Sequence, residues 1–311
     1  MYDYFSSLVS AGVPCLFYTD FKGEKLQCFP LDELDSHDID FAFNHPPSDT
    51  NFPHKPEYFP ISFHLYREKF DIVQEHIRSG NTYLLNLTQP TPIRSEYTLP
   101  EIYTMADAPY KLRVKNQFVC FSPEPFITIE DNIIHTFPMK GTIDASLPNA
   151  IETLLNDPKE IAEHTMIVDL LRNDLGIVAK NIKVEKFRFF TTLNAGNKQL
   201  HQISSHISGT LEKDWKIHSG EILKALLPAG SISGTPKQKT VEIIQAVEGY
   251  ERGYFTGVFG HFDGNNLYSA VAIRFIENIN NQLIYKSGGG ITAESNCLSE
   301  YNEMIDKIYI P

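Results

Sequence analysis

Apolar positions in this chain recur in short runs set apart by polar turn residues. Phe126–Glu130 and Ile133–Phe137 flank Asp131-Asn132, which predicts a β-hairpin, and Lys140 follows directly on its second strand as an ordinary turn lysine. Asp157-Pro158 supplies an N-cap and a first-turn proline, so a helix is expected through about Asn173, with Gly176 beyond its end. Thr235-Pro236 opens a second helix in the same way, up to Gly249. Tyr254–His261 and Leu267–Ile276 bracket the turn residues 262–266, and Leu283–Ser287 follows Asn278–Asn281, the pattern of an antiparallel meander that ends in Gly288-Gly289-Gly290. A last helix is expected to begin near Ser299, an N-cap ahead of Glu300 and Glu303. Strands and helices come in blocks, not in βαβ alternation, so the class is α+β with mainly antiparallel sheet.

Residues 44–60 are rich in Pro, Asn and Asp and read as a connecting loop, so residues 1–60 form a short N-terminal subregion of the same fold and 61–311 the main body. At 311 residues and 42% hydrophobic the chain can bury a large core. Its first residues lack a basic start followed by a sustained apolar run, and no later stretch approaches about eighteen uninterrupted apolar residues; a soluble cytoplasmic protein is expected. Cys15, Cys28, Cys120 and Cys297 form no C-x-x-C pair, which points to buried free thiols and away from a zinc site or a disulfide framework. A formal net charge of -12 argues against nucleic acid or an anionic membrane as partner. An anionic substrate must then be met by local cations or a bound metal.

Glu160 and Glu163 stand three apart on the first helix, as do Glu300 and Glu303 on the last, which puts each pair on one helical face. Hard oxygen donors of this kind suit Mg²⁺, but either pair alone is usually just a solvated face. The apolar run MIVDLL that follows the first pair argues against a wholly exposed helix. Gly288–Gly290 offers backbone amides to an anion or else marks a bulge, and GSISGTPK at Gly230–Lys237 is a glycine-flanked turn entering a helix, without P-loop spacing. Arg274, inside SAVAIRFIE, must reach a partner or leave at a sheet edge, and a role as carboxylate clamp is one of two readings. His201 reads as a hydrogen-bonded structural histidine unless a ligand lies beside it. Lys140 would be a nucleophile if desolvated.

Seven segments, in order, together resemble the chorismate-utilising enzymes: SPEPF at Ser122–Phe126, FPMKGT at Phe137–Thr142, AEHTMIVDLLRNDLG at Ala162–Gly176, GSISGTPK, AIRF at Ala272–Phe275, SGGGI at Ser287–Ile291 and EYNEMIDK at Glu300–Lys307. The resemblance covers about Phe63 to Tyr309. It implies two orthogonally packed antiparallel β-sheets flanked by helices. It also implies Mg²⁺ held by Glu163 and Glu303, with Glu160 and Glu300 beside them, for the ring carboxylate of chorismate. Arg274 and Tyr254 match positions that hold the enolpyruvyl carboxylate, and Asn86, His201, Ser231, Gly288, Gly290 and Lys307 match other substrate-lining positions. Anthranilate-forming members resemble PIAGT where 4-aminating members resemble PIKGT; Lys140 resembles the second. By that resemblance Lys140 adds to the chorismate ring while Glu124 protonates the departing 4-hydroxyl.

The family's Y-Q-V-N-L-x-Q-R stretch stands here as Tyr83–Pro90, with Leu84 for the first Gln and Pro90 for the Arg. Leu84 cannot serve as base, which argues against the water-adding chemistry of isochorismate and salicylate synthases. No L-L-E-S-S-type segment is present, so tryptophan feedback is not expected. None of the four cysteines lies in a G-x-C-x-G nucleophile turn, which implies ammonia from a separate glutamine amidotransferase subunit, with free ammonium as fallback. The alternatives are anthranilate formation and a non-catalytic chorismate-binding subunit.

Overall fold

Two positive-φ residues in succession, Asp131 at 48° and Asn132 at 63°, turn the chain between the strands Pro125–Glu130 and Ile133–Thr136. That is the two-residue loop whose twist matches paired strands, and Asn280 at 52° and Asn281 at 65° repeat it between Phe275–Ile279 and Gln282–Ile291. The computed structural model describes residues 1–44, 55–195 and 198–311; most of the expected 44–60 loop, 45–54, lies outside them.

The chain divides into two units, each interleaved in sequence. The first is Met1–Glu33, Pro123–Ser231 and Val258–Val271; the second is Leu34–Ser122, Ile232–Gly257 and Ala272–Pro311. Each carries one antiparallel sheet with helices, as the α+β expectation required.

In the first unit the strand order is Met139–Asp144, Lys198–Thr210, Ile133–Thr136, Pro125–Glu130, Leu267–Val271, Val258–Phe262, Cys15–Thr19, Leu26–Pro30, with Lys180–Ala195 also against Lys198–Thr210. Lys180–Ala195 takes one edge of Lys198–Thr210, so Met139–Asp144 and Ile133–Thr136 follow each other along the other edge. Phe17, Phe259, Phe262, Ile134 and Ile207 are fully buried here, each contributing about 1.5–3 kcal/mol of transfer free energy. The helix Pro158–Val178 opens where expected, with Asp157 Oδ1 accepting from Glu160 N at 3.1 Å. It runs through Gly176 to Val178, beyond the expected end near Asn173, because Leu170, Leu171 and Leu175 remain buried and tertiary packing outweighs one glycine's propensity.

In the second unit the order is Gly234–Thr235, Leu84–Arg94, Gln282–Ile291, Phe275–Ile279, Phe118–Ser122, Tyr110–Val114, Ile39–Phe43, with Glu57–Tyr58 against Leu84–Arg94. Pro90 lies opposite Lys286, at a position where Gln282–Ile291 is the strand's one sheet neighbour among the described residues, so its missing N–H interrupts no ladder with them on the other side. The helix Phe63–Arg78 buries Tyr66, Phe70, Val73 and Ile77, a 3.6-residue stripe, and Lys237–Glu248 ends on Gly249 at φ 69° as expected.

Three expectations are corrected. Leu267–Ile276 is two strands, Leu267–Val271 and Phe275–Ile279, broken at Arg274 with φ 50°; the strands belong to different sheets, so the meander is a pair of hairpins. Gly288–Gly290 lies inside the Gln282–Ile291 strand, paired to Thr88, Leu87 and Asn86, since a Cβ on Gly288 would sit 2.2 Å from the Leu87 carbonyl and only glycine permits that approach. The last helix, Cys297–Asp306, is capped by Asn296, whose Oδ1 accepts from Leu298 N and Ser299 N at 3.1 Å, and not by Ser299.

Candidate active site

Lys140 is not in a turn. It lies in the strand Met139–Asp144, whose register against Lys198–Thr210 shifts between Met139, opposite Ser204, and Thr142, opposite Gln202. The extra residue is accommodated by Gly141 at φ 87°, a bulge that re-aims the side chain beside it. A Cβ on Gly141 would come within 2.7 Å of Glu160 Oε2, so the glycine also lets the first carboxylate of the helix close on the strand. Lys140 Nζ lies 2.9 Å from Glu163 Oε2, with the lysine side chain 27% and the glutamate 6% exposed. In place of the ordinary turn lysine stands an ion-paired one, its head fixed by a nearly buried carboxylate.

Behind this strand sits His164, which the sequence reading passed over. It is fully buried, its Nε2 2.7 Å from Ser205 Oγ, and burial together with Arg188 pushes its pKa down to about 4, so it is neutral. Its neighbour in AEHTM, Glu163, drew the attention because carboxylate spacing is legible and a neutral histidine's is not. Ser205 N also donates to the Pro138 carbonyl at 3.0 Å, pinning the residue before the bulge.

Glu124 precedes the Pro125–Glu130 strand, and its carbonyl accepts from Val271 N at 3.1 Å. The hairpin pairs Thr128 with His135. Glu124 and Lys140, the two candidate catalytic residues, belong to the same unit. His201 lies opposite Ile143, with Thr192 Oγ1 3.0 Å from its Nδ1, and lines a cleft of about 460 Å³ with Leu147, Ala150, Ile151 and Leu155. Lys140 does not line that cleft. Ser231 sits in the one-turn helix Gly230–Ile232, where a Cβ on Gly230 would meet Asp174 Oδ2 at 2.7 Å.

The second unit gathers another set around the Gly288–Gly290 stretch. A Cβ on Gly289 would lie 3.3 Å from Glu303 Oε1 and 3.4 Å from Glu300 Oε2, so both carboxylates of the last helix converge over one bare backbone position. Glu300 is buried and its Oε1 accepts from Ser295 Oγ at 2.7 Å. Lys307 Nζ donates to Glu303 Oε1 at 2.7 Å and to the Gly288 carbonyl at 2.8 Å. Asn86 pairs with Gly290, and its N–H donates to the Ser233 carbonyl at 2.9 Å. Arg274 stands with its guanidinium 5.0 Å over the Tyr309 ring and a buried Nε that has no hydrogen-bond partner among the described residues. An unmet cationic donor of this kind suits an incoming carboxylate. Tyr254 is stacked on Phe118 at 5.3 Å.

The four glutamates therefore come as two pairs, one per unit. Among the described residues no group of three or more His, Cys, Asp or Glu side chains stands close enough to hold a metal ion. Two carboxylates over a glycine nonetheless fit Mg²⁺, which takes oxygen donors and leaves positions for substrate and water. A separate cavity of about 340 Å³, lined by Phe59, Arg94 and Leu283 among others, contains none of the expected residues.

Cys15, Cys28 and Cys120 are buried and Cys297 is half-buried. Hydrogen bonding with Cys15 and burial raise the Cys28 thiol, and burial raises Cys120 and Cys297, the opposite of what a thiolate nucleophile needs. No helix among the described residues is long and apolar enough to cross a membrane.

The model of the family described as chorismate binding enzyme matches residues 23–311. An uncharacterized PabA-like protein of Pasteurella multocida is 48% identical over 304 residues, covering 96% of this chain and 94% of that protein. Aminodeoxychorismate synthase component 1 of Escherichia coli is 34% identical over 261 residues, 78% of this chain and 56% of that one. Among solved structures, anthranilate synthase component I of Streptococcus pneumoniae superposes with a TM-score of 0.74 at 20% identity, over 99% of this chain and 84% of that one.

Proposed function

The chain belongs to the chorismate binding enzyme family, and we propose that within it this protein is aminodeoxychorismate synthase component I, replacing the 4-hydroxyl of chorismate by an amino group. One observation carries the reading: the residue that follows Met139 is a lysine, set on a bulge and held 2.9 Å from Glu163. A lysine there serves covalent addition, which the alanine of anthranilate-forming relatives cannot.

In this reading Lys140 passes a proton to Glu163 and its neutral amine adds to the ring as Glu124 delivers a proton to the 4-hydroxyl, which departs as water. Ammonia then bonds to the 4-position as the bond between the ring and Lys140 Nζ breaks, and the proton that the new amine sheds returns to Glu124. Arg274 and Lys307 receive substrate carboxylate charge, which answers the overall charge of -12 locally. Of the four glutamates expected to serve Mg²⁺, Glu160, Glu163, Glu300 and Glu303, the pair that converges over Gly289 would offer carboxylate donors, and the ion would supply positive charge for the ring carboxylate. Ammonia comes from a separate glutamine amidotransferase subunit, and ammonium salts replace it in vitro.

The test is mass spectrometry of products from chorismate, magnesium and ammonium. The expected product is 4-amino-4-deoxychorismate, lost in Lys140→Ala. Fluorescent anthranilate would move the protein to the anthranilate-forming group, and chorismate left intact would favour a non-catalytic binding subunit.

A further inference from the structure

Glu248 and Arg252 form a buried ion pair, their side chains 1% and 2% exposed, at the end of the Lys237–Glu248 helix. Arg252 Nε donates to Glu248 Oε2 at 2.9 Å and Nη2 to Oε1 at 2.6 Å. The remaining N–H groups go elsewhere. Nη2 donates to the Asn86 carbonyl at 2.6 Å, and Nη1 to the Ile232 carbonyl at 3.1 Å and Thr256 Oγ1 at 3.2 Å. A guanidinium has five N–H donors, and here each has an acceptor.

Glu248 is held in turn. Its Oε1 accepts from Thr88 N at 2.8 Å and Thr88 Oγ1 at 2.7 Å. With the threonine hydrogen so used, the Tyr250 hydroxyl, 2.6 Å away, donates to Thr88 Oγ1. Lys286 Nζ donates to the Arg252 carbonyl at 2.9 Å.

A buried ion pair stabilises a fold little more than apolar side chains of the same volume would. What this one adds is position. Its three outward donors hold the main chain of Asn86, which pairs with Gly290, the middle of GSISGTPK at Ile232, and Thr256, two residues past Tyr254. Every one of those segments carries a candidate substrate-lining residue, and none of the contacts uses the lining side chain itself. We propose that Arg252, oriented by Glu248, is a positioning residue that pre-sets Asn86 and the 252–256 turn for chorismate; this rests on the functional reading above.

The experiment compares chorismate affinity, by calorimetry with magnesium and without ammonium, and steady-state kinetics with ammonium. Wild-type protein is measured first: if it neither binds nor converts chorismate, the functional reading falls, and this inference with it. Arg252→Lys keeps the charge opposite Glu248 but has three rotatable donors in place of a rigid fork. Its Kd and KM for chorismate are expected to rise about tenfold or more, with kcat changed less than about threefold, because slack in placement is read in binding. Thr88→Val is the comparator. It takes the hydroxyl from Glu248 and leaves every Arg252 bond, so it lowers Tm while holding Kd within about twofold. Should Arg252→Lys show no cooperative melt, Glu248→Gln replaces it, with a smaller rise in Kd expected. A folded Arg252→Lys or Glu248→Gln with wild-type Kd overturns the proposal. So does a Thr88→Val that weakens binding as much as Arg252→Lys, for the effect is then general loosening.

Discussion

Lys140 Nζ meets Glu163 Oε2 at 2.9 Å, across from a bulged strand to the second turn of a helix. The bulge aims the lysine and the helix N-cap at Asp157 sets the glutamate's height. Replacing Lys140 by Met keeps most of the stem's packing and removes only the amine. Ammonium-dependent conversion of chorismate should fall at least about a hundredfold, while Tm moves by a few degrees. Wild-type turnover of Lys140→Met at saturating ammonium would remove the lysine from the chemistry.

Gly141 gives a second test of the same geometry. Alanine there would hold an L side chain at φ 87° and set its Cβ 2.7 Å from Glu160 Oε2 and 3.2 Å from Leu154 Cδ1. The strain costs about 1–2 kcal/mol, and the bulge relaxes by moving Lys140 or the helix. Gly141→Ala should lose activity out of proportion to its stability: at least about tenfold in kcat/KM for a drop of a few degrees in Tm. Activity that tracks stability alone, in parallel denaturation and kinetic series, would show that the bulge does not aim the lysine.

What could be read from the chain divides along physical lines. The Asp131-Asn132 turn, the Asp157 cap and the Gly249 stop are decided by a residue's own φ preference or its nearest donors, so local pattern finds them. The break at Arg274 is different: SAVAIRFIE is uniformly apolar around one cation, and only the change of sheet explains a positive φ there. Gly288–Gly290 misled because glycine weakens an isolated strand, whereas here the close approach of Leu87 requires it. Glu248 and Arg252 stand four apart, a spacing that by itself carries no sign of burial; their burial depends on strands far away in sequence. Lys140 is ordinary by spacing and stands out only through the motifs around it, while its bulge and its carboxylate partner are set by a strand and a helix elsewhere in the chain.

Burial lowers the pKa of His261, stacked at 5.3 Å on Tyr268, by more than the nearby Asp263 raises it. Between that lowered value and the ordinary one of about 6.5, the unfolded chain binds more protons than the folded one, so stability rises with pH and is lost as pH falls through the window. His261→Phe keeps a ring and cannot titrate. Wild-type Tm should fall more than that of His261→Phe between about pH 7 and pH 5. Parallel Tm curves for the two proteins would show that another group carries the acid sensitivity.

Gly289 tests the metal without touching a ligand. Its φ is not in the left-handed region, so alanine costs little backbone strain, but the new methyl would stand 3.3 Å from Glu303 Oε1 and 3.4 Å from Glu300 Oε2. Those carboxylates must each give by a few tenths of an ångström, and Glu303 cannot swing freely because Lys307 holds its Oε1 at 2.7 Å. Ligand distances to Mg²⁺ tolerate little change, since the ion demands near-ideal octahedral geometry. Gly289→Ala should therefore raise the magnesium concentration for half-maximal activity several-fold, with a matching loss of magnesium affinity by calorimetry and a Tm close to wild type. A variant with unchanged magnesium affinity would mean that Glu300 and Glu303 do not hold the ion, and would leave Lys307 as the residue that explains why Glu303 faces the glycine.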